Sequence, residues 1–115
     1  MAATMQSLLA ATRDQYQLLH DAISRARESC VDPSQRDDLR HQAEEIQLVL
    51  TSLDQVDLQS RTAEFAALEN KVQSINSEMQ NLKREIDDIV QDVAVATKVA
   101  SAIDGALTAS AKLFA

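Results

Sequence analysis

Turn-forming residues are nearly missing from this chain: its 115 residues include one glycine, Gly105, and one proline, Pro33. A sheet protein needs many positions of that kind, so the composition favours long helices instead. Large core fillers are scarce too, with no tryptophan and only Tyr16, Phe65 and Phe114 as aromatics. A lone cysteine, Cys30, excludes an internal disulfide and any cysteine-based zinc site, and reads as a small residue at a helix end. Basic residues number 11 against 18 acidic ones, for a net charge of −7, and they are dispersed. Phosphate binding requires clustered Lys and Arg, so nucleic acid is excluded as a partner. No uncharged run approaches the roughly 20 residues that span a bilayer, and the apolar tail is interrupted by Lys98, Asp104 and Lys112. Residues 1–12 lack a basic region followed by a sustained apolar one, so no signal peptide is expected. The expected location is cytoplasmic, with export by a signal-independent route left open.

What is present is a seven-residue apolar repeat in every long segment. It runs Met5, Leu9, Thr12, Tyr16, Leu19, Ile23, Ala26, Cys30, and then Leu39, Ala43, Ile46, Leu50, Leu53. A third run extends from Phe65 through Leu68, Val72, Ile75, Met79, Leu82, Ile86, Ile89, Val93, Ala96, Ala100, Ile103, Leu107 and Ser110 to Phe114. The expected fold is therefore all-α, a single domain over residues 1–115 with helices near 3–30, 34–53 and 57–113. Asp32-Pro33-Ser34 marks the first boundary, with Ser34 and Asp37 spaced as a capping box. At the second boundary the apolar phase slips by one residue between Leu53 and Leu58. A tight turn is the preferred explanation, and a skip in one continuous helix is the other.

Lengths choose between two ways of packing these helices. If both boundaries reverse the chain, the third helix extends bare for ~50 Å beyond the second. If Pro33 only kinks the chain, a broken rod of about 50 residues lies antiparallel to a helix of about 57. Charge agrees with the second case: residues 1–31 and 89–115 are each neutral, whereas 32–60 carry −5 and 61–88 carry −2. A hairpin turning near Asp54 places neutral beside neutral. The preferred architecture is this long kinked antiparallel hairpin, with a three-helix coiled-coil-like bundle as the alternative.

Beyond Glu85 the apolar stripe widens to include Val90, Val99, Ala106 and Leu113. A wider stripe calls for more than one neighbouring helix. Small residues four apart (Ser101, Gly105, Ala109 and Ala102, Ala106, Ser110) permit close helix approach. A two-helix hairpin cannot bury these stripes alone, so an oligomer is expected, most simply a homodimer forming a four-helix bundle at the neutral end.

Catalytic chemistry finds little support. Asp37, His41 and Glu44 share a face of the second helix, with Glu45 beside them, but that face lies away from the apolar seam and would point into water. His20 reads as a surface helical histidine. Asp87-Asp88 and Glu44-Glu45 are paired only in sequence and diverge by about 100° on a helix. There is no glycine-rich phosphate loop. The expectation is a non-enzymatic protein without cofactor or metal.

The expected function is a helical interaction protein: a coiled-coil adaptor, chaperone-like partner or structural subunit that binds itself or a partner helix. The expected surface comprises Met5, Leu8, Leu9, Tyr16, Val93, Val99, Ile103, Gly105, Leu107 and Phe114. The alternative is a membrane-active component, or partner subunit, of a secreted or pore-forming helical assembly. In architecture the long hairpin with a small-sided end resembles parts of α-helical pore-forming toxins and small secreted helical hairpins. It lacks the Trp-x-Gly turn carried by one such secreted family, and its tail has no basic face to attract anionic lipid.

Overall fold

The computed structural model describes residues 4–55 and 63–114, apart from the side chains of Met5, Gln55 and Glu64. Four helices account for these residues: α1 (Met5–Ser29), α2 (Pro33–Gln55), α3 (Ala63–Ile89) and α4 (Val93–Leu113). α1 packs on α2 and α4, and α3 packs on the same two, so the diagonal pairs stay apart. Arg13–Asp54 joins an early residue of α1 to a late one of α2, while Asn76–Ser110 and Lys83–Asp104 pair rising numbers on α3 with falling numbers on α4. Neighbours are thus antiparallel, in the up-down-up-down arrangement of a four-helix bundle.

Two corrections to the expected hairpin follow. The first boundary reverses the chain instead of kinking it. Cys30 is extended, at φ −90° and ψ 130°, and the Asp32 carboxylate accepts from the amides of Ser34 (2.8 Å) and Gln35 (3.3 Å). Asp32 is the cap and Pro33 the first helical residue, where its missing N–H is harmless. Ser34 and Asp37, expected as a capping box, lie inside α2.

The second correction is the break of the 57–113 helix at residues 90–92. Asp92 is extended, at φ −76° and ψ 109°, and its carboxylate accepts from the amides of Ala94 (3.0 Å) and Val95 (3.3 Å). A continuous helix would leave its distal half bare. Folding back buries Val99, Ile103 and Leu113 completely or nearly so, and each such side chain is worth about 1.5–3 kcal/mol. That gain exceeds the few helical hydrogen bonds forgone at the break. The phase slip between Leu53 and Leu58 falls largely outside the described residues.

The break also rotates the seam. In α3 the buried stripe follows the expected phase from Phe65 through Ile86 and then takes Val90, while Ile89 is only half-buried. In α4 it becomes Ala96, Val99, Ile103, Ala106, Ser110 and Leu113, so Val93 is 76 % exposed and Ala100 and Leu107 stand at the edge. The apparent widening of the stripe is this change of phase. The two hairpins, α1–α2 and α3–α4, now match at an offset of 60: buried Leu19 and Met79, Cys30 and Val90, Leu39 and Val99, Leu53 and Leu113, with Asp32 and Asp92 as caps.

The segmental charges become faces. α1 is neutral and α4 carries two lysines against one aspartate. α2 has two arginines against five carboxylates, and α3 three basic against six acidic residues. Among the described residues neutral α1 makes its closest backbone approach to α4, and acidic α2 approaches acidic α3 least closely.

Candidate functional site

Small side chains recur among longer ones along the seam between α1 and α4. Leu8, Gln15 and Ala22 recur every seven residues on α1, as do Val95, Ala102 and Ala109 on α4, and all six are half-buried. With Ala22, Ala102, Gly105 and Ala109 along it, the outer side of the seam is a groove instead of a ridge. It consists of two consecutive depressions of about 510 and 390 Å³ that share Gln15 as a wall. Leu18, 56 % exposed, is its largest accessible apolar side chain. Asp21, Arg25, Lys98, Asp104 and Lys112 supply charges of both signs along it.

Gly105 occupies the narrow point. A Cβ there would overlap Gln15 Oε1, so the missing side chain makes room for the glutamine that divides the groove. The small-residue rows divide by depth: Ala106 and Ser110 face the core, Ala102 and Ala109 form the groove floor, and Ser101 is exposed.

Beneath the groove lies a polar layer. Thr12 Oγ1 donates to the Leu8 carbonyl at 2.7 Å and reaches the Ala109 carbonyl across the seam at 3.3 Å. The hydroxyl of fully buried Tyr16 donates to Asn76 Oδ1. Asn76 Nδ2 donates to Ser110 Oγ at 3.0 Å, and Ser110 Oγ donates to the Leu107 carbonyl at 3.1 Å. Three helices are thereby tied at one level. Burial pushes the Tyr16 phenol above its ordinary pKa, opposed by its hydrogen bonding with Ser110 and Asn76.

The residues expected to form an association surface are distributed differently. Tyr16, Val99 and Ile103 are core residues of the single chain. Leu8, Leu9, Leu107 and Phe114 pack against that core, and Phe114 stacks at a tilt on Phe65 with ring centroids 5.2 Å apart. Gly105 is half-buried under Gln15, and Val93 is exposed at the α3–α4 turn. The side chain of Met5 falls outside the described residues. The alanine-rich tail thus finds its partners, α1 and α3, within its own chain.

On α2, Arg40 bridges Asp37 and Glu44, each at 3.8 Å, and His41 Nε2 meets Glu45 Oε1 at 2.8 Å. Asp37, Arg40, His41 and Glu44 are solvent-exposed. Among the described residues no group of three or more His, Cys, Asp or Glu side chains is placed to hold a metal ion. His20 lies beside Asp21, with 3.5 Å between Nδ1 and Oδ1. No helix among the described residues is long and apolar enough to cross a membrane. No protein-family model, curated protein or solved structure matches the chain.

Leu18, Gln15, Ala22, Val95, Lys98 and Ala102 were not among the expected site residues. The signal for Gln15, Ala22, Val95 and Ala102 was a second seven-residue row beside the main seam on each helix, overshadowed by the stronger apolar repeat next to it; Leu18 and Lys98 lie outside those rows.

Proposed function

We propose that this protein is a non-catalytic helical interaction protein that associates with a second copy of itself through the α1–α4 face. One coincidence carries this reading: the groove and the neutral charge occupy the same side of the bundle. Two copies meeting through α2 and α3 would bring excess carboxylates together, whereas the α1–α4 faces bring near-neutral surfaces with both signs of charge. A twofold pairing would seat Leu18 of each copy in the other's groove, an isologous contact in which one patch is used twice.

The test is molar mass by light scattering behind size exclusion over a hundredfold range of concentration. The native chain is expected to approach twice its monomer mass, and Leu18→Asp to remain monomeric with unchanged helicity. Leu48→Asp, at a comparably exposed leucine on α2, should leave association intact. A native chain that is monomeric throughout, or a Leu18→Asp variant that dimerises normally, refutes self-association through this face.

A further inference from the structure

The 60-residue correspondence between the two hairpins reaches the surface of the bundle as well. It carries α1 onto α3 and α4 onto α2, and so carries the groove onto the opposite side, where α2 and α3 meet. A cleft of about 260 Å³ lies there. Its lining repeats most of the larger groove depression at that offset, with the charges changed: Arg25 becomes Glu85, Lys98 becomes Asp38 and Asp21 becomes Asn81. Both cations of that depression are thus exchanged for carboxylates, and its one carboxylate for an amide. Glu78, which stands where Leu18 stands in the groove, adds a third carboxylate, and no lysine or arginine lines the cleft. Arg25, Lys98, Asp38 and Glu85 are all exposed, and among the described residues none of the four forms an ion pair.

We propose that the α2–α3 cleft is a second docking surface whose occupant is the α1–α4 groove of another copy, with Arg25 and Lys98 of one chain meeting Glu85 and Asp38 of the next. Corresponding helix pairs form the two sides, so the same backbone approach to a groove is open to either side of a neighbour, after a half-turn about its bundle axis. Charge then favours the unlike pairing, because two grooves set cations at the same places on both copies. The contact rests on the reading that the groove binds a second copy, and it competes with the twofold pairing for that groove. Its two patches differ and lie on opposite sides, so each contact leaves a groove and a cleft free and copies add in a row instead of stopping at a pair. Salt weakens this mode selectively, since charges act over roughly 30 Å at about 10 mM salt and over about 3 Å at about 1 M. The net charge of −7 opposes any gathering of copies in weak salt, so growth there has to come from local complementarity.

Light scattering of the full chain in about 10 mM and about 1 M salt tests the contact. In weak salt the mass should exceed twice the monomer value and keep rising with concentration, and in strong salt it should level off at a dimer. Asp38→Asn combined with Glu85→Gln changes only exposed side chains outside the groove, so it should lose the weak-salt growth and keep the twofold dimer. A native chain that stays dimeric in both salts overturns this contact and leaves the twofold pairing standing. A chain that grows in weak salt but is monomeric in strong salt supports this contact and overturns the twofold pairing. A monomer in both overturns both. Growth that persists in the double variant, or that is equal in the two salts, also overturns the contact.

Discussion

Replacing Tyr16 with phenylalanine removes a single oxygen from the centre of the bundle and leaves the ring in place. Tyr16 is fully buried, and its hydroxyl satisfies Asn76 Oδ1. Without it that acceptor loses its donor, which costs about 1–2 kcal/mol. For a chain of this length unfolding entropy is about 240 cal/mol/K, so the melting temperature should drop by roughly 4–8 °C. Asn76 Nδ2 keeps its bond to Ser110, and Ser110 keeps its bond to the Leu107 carbonyl, so the damage stays local. Asn76→Leu on its own strands the tyrosine hydroxyl and should cost a similar amount. Combined, Tyr16→Phe and Asn76→Leu replace both partners with apolar groups, and the double variant should be less destabilised than the sum by at least about 1 kcal/mol. Urea unfolding followed by circular dichroism at 222 nm gives all four free energies, with a constant m-value checking that the unfolded states match. Strict additivity, or a Tyr16→Phe variant as stable as the native chain, would refute the reasoning that this layer is a closed hydrogen-bonded unit.

Two further substitutions test the break and the groove. Asp92→Ala removes the acceptor for the first free amides of α4 and should cost about 1 kcal/mol by denaturant melt; if Asp92 lay inside a continuous helix, the same change would be neutral or stabilising. Gly105→Ala brings a methyl group against the far end of a flexible glutamine, which can swing aside. It should therefore stabilise the bundle by up to about 1 kcal/mol through helix propensity, and a loss of more than that would mean that Gln15 is fixed in place.

The interior of the first two helices was readable because their apolar positions repeat without interruption. Thr12, Tyr16, Leu19, Ile23, Ala26 and Cys30, then Leu39, Ala43, Ile46, Leu50 and Leu53, are all buried as the spacing requires. The neutral ends of the chain do lie side by side, as their charge suggested. The reversal at residues 90–92 was hidden because the repeat runs through it from Ile89 to Val93 with correct spacing and no glycine or proline. Asp92 was the available sign, but a capping aspartate resembles any exposed helical aspartate until its carboxylate is seen to turn onto the amides behind it. Of the residues expected at an association surface, Tyr16, Val99 and Ile103 are buried within the single chain once that reversal is made.

The polar layer also bears on how the two halves of the chain recognise each other. Tyr16 and Asn76 occupy equivalent places in the two hairpins, as do Leu50 and Ser110, yet their chemistries differ. Other buried positions at that offset differ in size, Ala26 against Ile86, Ala43 against Ile103 and Ile46 against Ala106, so packing volume and the polar layer together distinguish α1–α2 docked on α3–α4 from either hairpin docked on a copy of itself. A like pairing of first hairpins would set phenol against phenol with no serine to close the chain of hydrogen bonds, and a like pairing of second hairpins would set amide against amide without a phenol. The tyrosine and asparagine therefore favour a first hairpin meeting a second one, whether from the same chain or from another copy.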